Sequence, residues 1–211
     1  IPLWKRDSGS SGGSFLSDDG SGKVCTVTGA LKTLNGRDFD GVDDKITVAN
    51  SPVFDFGSGD FTIRLWFYPT AAAQSGILAG STDYWLGIMF HFQGTRNISI
   101  WASSNGTGWD LINADSGGNG IGTISLALNQ WHTIDYVRSG NSWKSFIDLV
   151  QDVSVTVAGS LVTKAEVKNI GLWGTGTLPF AGTIGDVLIA NRALILNELT
   201  NLTLATKWRY N

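Results

Sequence analysis

Side chains able to do acid–base or nucleophilic chemistry are few in this sequence. Glu166 and Glu198 are its only glutamates, and His91 and His132 its only histidines. Retaining hydrolysis of a glycosidic bond needs two carboxylates about 5 Å apart, a separation that alternate residues of one strand can supply. The two glutamates lie 32 positions apart. The adjacent pairs Asp18/Asp19 and Asp43/Asp44 would face opposite ways on a strand, so they read as turn residues. No Gly-x-Ser-x-Gly elbow accompanies the histidines, and His132, beside Trp131, reads as a hydrogen-bonded framework residue. The Gly-rich stretches are not followed by Lys-Ser/Thr and a helix, so no phosphate cradle is present. Cys25 is the only cysteine. It allows no intramolecular disulfide and no cysteine-based zinc site, and in the strand-like run 23–27 it reads as a small core residue. The expectation is a protein that is not an enzyme and requires no cofactor.

What the chain has in excess is aromatic surface. Sugars present apolar C–H faces ringed by hydroxyls, and indole rings with polar side chains complement both. Of the 9 tryptophans, Trp85, Trp101, Trp109, Trp131, Trp143 and Trp173 are binding candidates, although core or inter-sheet packing is the plainer reading of most of them. Trp109 stands out because it lies in the polar run 103–110, where a core aromatic is not expected, with Asn105 and Asp110 as polar partners. A second candidate surface lies on the strand at 60–69. Arg64, Trp66 and Tyr68 share one of its faces, and Asp135, Trp143 and Ser145 are expected to join them. That group reads either as a binding cleft or as one buried salt bridge beneath a loop.

Elements must hold these residues in place. With 42% hydrophobic and 16% charged residues the chain is too apolar for disorder. No apolar run approaches the roughly 20 residues a membrane helix needs, so no membrane insertion is expected. A net charge of -3 without a Lys/Arg cluster argues against nucleic acid and suggests a neutral partner. Abundant Asp and 27 Gly beside two Glu describe many strands joined by tight loops. Strand-like runs fall at 60–69, 76–80, 84–92, 97–102, 131–138, 143–149, 167–173 and 183–190. In the first, Phe61, Ile63, Leu65 and Phe67 share the other face. One helix is expected at 194–205, its apolar side made by Leu194, Leu199 and Leu202 with Ile195 and Leu196. Residues 1–211 read as a single domain, with a first strand at 2–5 and a flexible Gly/Ser-rich loop over 7–22.

Three blocks carry a family likeness. Gly36–Ile46 with Gly59–Pro69, Trp131–Ile134 with Val137–Asn141, and Phe180–Ile189 with Asn191–Leu194 follow one another in an order that resembles laminin G-like, concanavalin A-like jelly rolls. The resemblance implies an all-β, two-sheet antiparallel jelly-roll sandwich with one short C-terminal helix. Relatives commonly have Asp-Gly in the hairpin after the central strands. Residues 147–152 lack the Gly, so a wider turn is expected there. The glucanases of the family carry a Glu-x-Asp-x-x-Glu pattern that is missing here. Relatives also hold calcium through hard oxygen ligands, and Asp186 matches a last-strand aspartate some of them use, with Asp43 and Asp44 as further donors. The functional expectation is a non-catalytic module for glycan recognition or surface adhesion, extracellular or on a particle surface. Its partner would be a carbohydrate or a protein surface. The alternative is a structural, decoration or fibre protein of a virion, oligomeric or attached to a larger assembly, docking through the apolar ending Trp208-Arg209-Tyr210.

Overall fold

The computed structural model describes residues 13–18, 20–82, 85–90, 96–115, 117–174 and 176–210, with only the backbone of Met89 and Phe90. The strand expected at 2–5 and His91 lie outside them. In chain order the strands are β1 (Phe15–Leu16), β2 (Val24–Thr28), β3 (Leu31–Lys32), β4 (Arg37–Asp40), β5 (Lys45–Val48), β6 (Phe61–Pro69), β7 (Ser75–Gly80) and β8 (Leu86–Phe90). Then come β9 (Ile98–Ala102), β10 (His132–Ser139), β11 (Ser142–Ile147), β12 (Val150–Thr156), β13 (Lys168–Ile170), β14 (Leu172–Trp173), β15 (Thr177–Pro179) and β16 (Ala181–Ala190). Helix α1 (Leu196–Thr206) and a 3-10 turn (Lys207–Arg209) follow.

The protein is mostly β, as the sequence predicts. Two antiparallel seven-stranded sheets form, one in the order β12-β11-β10-β6-β16-β4-β3 and one in the order β1-β2-β5-β13-β7-β8-β9. We call them the helix sheet and the open sheet. Period-2 alternation decides what lies between them. Phe61, Ile63, Leu65 and Phe67 of β6 point inward with Ile134 and Tyr136 of β10. Facing them, the register aligns Val27, Ile46, Ile170, Leu78, Ile88 and Ile100 across the open sheet, all packed in or against the core. Cys25 is a fully buried member of the same core.

Helix α1 covers the outer face of the helix sheet. Leu194 and Leu199 pack on Val137, with Leu188, Phe146, Leu149 and Leu202 around them. The helix start is held by the Glu198 carboxylate, which accepts the Ile195 N–H at 3.0 Å and satisfies one of its orphan donors. Ile195 and Leu196, expected on the apolar side, are instead exposed at 65% and 50%.

Three local expectations are corrected. Within the loop expected at 7–22, Phe15–Leu16 pairs with β2. The run 167–173 breaks at Gly171, whose φ of 83° ends β13; a Cβ there would lie 2.2 Å from the Phe39 ring. The wider turn after the central strands is a two-residue hairpin, since Ile147 pairs directly with Val150. Asp148 and Leu149 take φ of 50° and 69°, as a type I′ turn demands. A bulky residue in the left-handed region costs on the order of 1–3 kcal/mol, and the cost is tolerated because Leu149 packs against the helix cluster.

Candidate functional site

The open sheet keeps one face uncovered by the helix, and its register defines what lies there. Thr26 pairs with Thr47, Thr47 with Asn169, Asn169 with Ala79, Ala79 with Gly87 and Gly87 with Trp101. These residues alternate with the aliphatic row of the core, so they lie on the outer face, where Thr26 and Thr47 are accessible and Asn169, Ala79, Gly87 and Trp101 are buried by the segments above them. The row runs from polar at β2, β5 and β13, through two small residues, to an indole at β9.

Trp101 does not stand alone. Trp173 on β14 approaches it to 5.1 Å between ring centroids, and Trp109 approaches the two to 6.3 and 5.9 Å. The three rings meet at angles of 51° to 64°, so they pack against one another at a steep tilt and not as a flat stack; we call this cluster the cup. Ile121, Leu178 and Ala114 complete the cluster. Trp101 is the buried floor, while Trp109 and Trp173 are only partly buried. Gly87 makes the cup possible: a Cβ there would lie 2.3 Å from Cη2 of Trp173.

The loop carrying Trp109 is built by its own polar side chains. Asn105 Oδ1 accepts the N–H groups of Thr107 and Gly108 at 2.8 and 3.1 Å, an Asx turn. Asp110 accepts the Ser104 N–H at 2.8 Å, the Ser104 hydroxyl, and the Ser103 hydroxyl at 3.2 Å. Burial pulls the Asp110 carboxyl up, but the donors of Ser104 outweigh it and hold the group below the ordinary carboxylate value. Asn105 and Asp110 therefore brace the loop that aims Trp109, with their side chains still exposed at its rim.

At Arg64 and Asp135 the second surface expected from the sequence takes the form of a buried salt bridge, and Trp66 alone of its named residues also lines a cleft. Arg64 binds both oxygens of Asp135 at 2.8 and 3.0 Å, and also donates to the carbonyl of Leu199 and the hydroxyl of Thr203. Both charged residues are buried. Trp66 donates its indole N–H to Thr206 at 3.0 Å and stacks on Tyr210 at 4.5 Å. This is a buried salt bridge beneath helix α1. Trp143 is elsewhere: β10 and β11 pair Asp135 with Phe146 and Arg138 with Trp143, which turns Trp143 and Ser145 to the opposite face. Trp143 is fully buried in the core, under the Arg138 guanidinium at 4.5 Å. Trp85 is also core, with the Lys168 ammonium 4.3 Å above its ring.

His132 is a framework residue. Its Nδ1 faces Asp148 at 2.7 Å and its Nε2 the carbonyl of Ala127 at 3.0 Å. Two acceptors fit the imidazolium, which donates from both nitrogens. Burial lowers its pKa, but the Asp148 carboxylate and the carbonyl prevail and raise it above 6.5.

The residues do not fit calcium at Asp186. Its carboxylate is bound by the Arg209 guanidinium at 2.6 Å, and the Asp186 N–H donates to the Tyr210 hydroxyl at 2.8 Å. Tyr210 and Arg209 thus dock on the protein's own sheet, Tyr210 being buried, while Trp208, 74% exposed, projects outward. Among the described residues, Asp40, Asp43 and Asp44 bring carboxylate oxygens within 4.8 Å of one another. Two of them already accept backbone N–H groups of their own turn.

Sequence reasoning named all three indoles of the cup but not their meeting. Gly87 carried no signal of its own, because its role is set by a ring arriving from β14.

Comparison with known proteins agrees with this architecture. A family model described as the concanavalin A-like lectin/glucanases superfamily matches residues 40–200. No curated protein sequence matched the chain. Among solved structures, a Trypanosoma rangeli sialidase in complex with 2,3-difluorosialic acid superposes with a TM-score of 0.68 at 16% identity, over 99% of this chain and 33% of that one. Domain 4 of an extracellular arabinanase from Geobacillus stearothermophilus, in complex with arabinotriose, superposes with a TM-score of 0.57 at 17% identity, over 96% of this chain and 86% of that one. The binding domain of botulinum neurotoxin serotype D gives 0.65 at 12% identity, over 90% and 49%. These likenesses show the fold, and this chain spans about a third of the sialidase.

Proposed function

The chain belongs to the concanavalin A-like lectin/glucanase superfamily, and on that premise we propose that it is a non-catalytic module that binds neutral glycans through the Trp101/Trp109/Trp173 cup. The observation that carries this reading is the cup itself. Three indoles meet on the outer face of the open sheet, Gly87 is cleared beneath one of them, and the accessible Thr26 and Thr47 lie further along the same face. Stacked C–H groups and a polar row are what a saccharide requires. The arabinotriose held by the arabinanase domain supports a short neutral oligosaccharide as ligand class.

The disposition of the acids supports a non-catalytic role. Glu166 accepts from the N–H and hydroxyl of Thr82, and Glu198 caps α1 while pairing with Arg192 at 2.7 Å. Each is spent on structure. A module of this kind works outside the cell or on a particle surface, attached to something larger, where glycans are met.

The test is a glycan array of neutral oligosaccharides, arabinotriose included, probed with the chain and with Trp109→Ala. We expect at least one neutral glycan to bind and Trp109→Ala to lose about tenfold or more, the equivalent of about 1.4 kcal/mol. An array without hits, or undiminished binding by Trp109→Ala, contradicts the reading.

A further inference from the structure

A second concavity lies on the opposite side of the sandwich, between helix α1 with its 3-10 turn and the helix sheet. It is an open cleft of about 460 Å³, within the range of small-molecule sites. Trp131, Tyr210, Gln130, Asp148, Lys207 and Leu204 are among its walls. None of them contributes to the tryptophan cup.

Two of the rings here, Tyr210 and Trp66, have their polar atoms engaged inside the fold. The Tyr210 hydroxyl accepts from Asp186, and the Trp66 indole N–H is taken by Thr206. What they offer the cleft is ring surface. Trp131 lies 4.5 Å from Tyr210 at an interplanar angle of 54° and 5.5 Å from Tyr68, and it is only partly buried.

The polar walls complement those rings. Asp148 accepts from His132 and from the Thr133 N–H, both at 2.7 Å, yet 46% of its side chain is exposed. A carboxylate has about four lone-pair positions, so acceptor capacity remains on the cleft side. Lys207 and Gln130 supply donors.

The hairpin that delivers Asp148 is the strained one. Leu149, at φ 69°, also lines the cleft, where glycine would satisfy the backbone without strain. A leucine there gives the cleft an apolar wall next to its acceptor.

From aromatic faces beside an exposed acceptor and two donors, we infer that this cleft is a second ligand site, and that it takes a neutral sugar ring. It shares a ligand class with the reading above but depends on none of that site's residues.

The test is saturation-transfer NMR on Trp109→Ala, which removes the cup from consideration. The probes are glucose, galactose, mannose, xylose, arabinose and N-acetylglucosamine, with glucuronate and glucosamine as charged comparators. At least one neutral sugar is expected to show saturation, with the charged comparators weaker. The signal is expected to fall fivefold or more in Trp109→Ala/Trp131→Ala and in Trp109→Ala/Lys207→Ala. The lysine is on the exposed 3-10 turn, so an unchanged Tm in that variant separates lost binding from lost folding. Three results overturn the proposal: no neutral sugar saturates, saturation survives both substitutions, or a charged comparator gives the stronger signal. Since cup binding is read from the wild-type array, failure there leaves this result independent.

Discussion

Trp109 and Trp143 show one residue type in two roles. Trp143 is fully buried with Phe61 and Tyr136 at its edges, and Trp143→Ala is expected to cost about 3–5 kcal/mol in denaturant unfolding. Trp109 is partly exposed at the end of a braced loop. Trp109→Ala should cost far less stability than that while removing most of the glycan affinity. Gly87→Ala tests the floor: its Cβ would displace the Trp173 ring, so binding should weaken with Trp109 itself unchanged. Trp109 was legible because a large aromatic in a run of Ser, Asn, Gly and Thr has no apolar neighbours to explain it. Trp143 was misplaced because alternation fixes the faces of one strand but not the register between strands. Only the pairing of Arg138 with Trp143 shows that it turns inward.

At the scale of elements, β6 and α1 explain why Arg64 and Asp135 of the second expected surface are closed off, while Trp66 lines the cleft at the end of the helix. The alternation in β6 was legible, and an Arg with a Trp on the outer face suggested exposure. Helix α1 closes over that face, so β6 is buried on both sides. Arg64 joins β6, β10 and α1 through Asp135, Leu199 and Thr203. Arg64→Met leaves the buried Asp135 carboxylate unpaired, and about 3–5 kcal/mol of stability should be lost. The double variant Arg64→Met/Asp135→Leu should recover most of it, as thermal melts of both will show. The His132–Asp148 pair ties β10 to the strained hairpin and gives a pH signature. The folded-state pKa of His132 is raised above 6.5, so its stabilisation is fully present below that value and declines as pH rises through the folded pKa. Tm should therefore fall from pH 6.5 upward, and in Asp148→Asn that decline should flatten. The two-residue hairpin was not legible, because Leu149 is not a residue that type I′ geometry selects; its packing against α1 overrides the local preference.

Over the whole molecule, the sandwich was the most legible level, since strand alternation, Gly/Asp-rich turns and the order of the three family blocks all point to one architecture. The division of labour between the two outer faces was less so. A helix covers one face, leaving a cleft at its end, and the other face is left to carry the cup, yet both features depend on where distant segments land: Trp173 comes onto Gly87 from β14, and Tyr210 onto Trp66 from beyond α1. The proposed glycan site presents Trp109 and Trp173 above the buried Trp101. The indole N–H signals of the tryptophans in a ¹H–¹⁵N spectrum, followed during titration with the glycan the array selects, test it most directly. Concentration-dependent shifts of the Trp109 and Trp173 signals are expected, with those of the core residues Trp85 and Trp143 unmoved. Binding that leaves the Trp109 and Trp173 signals in place would contradict it.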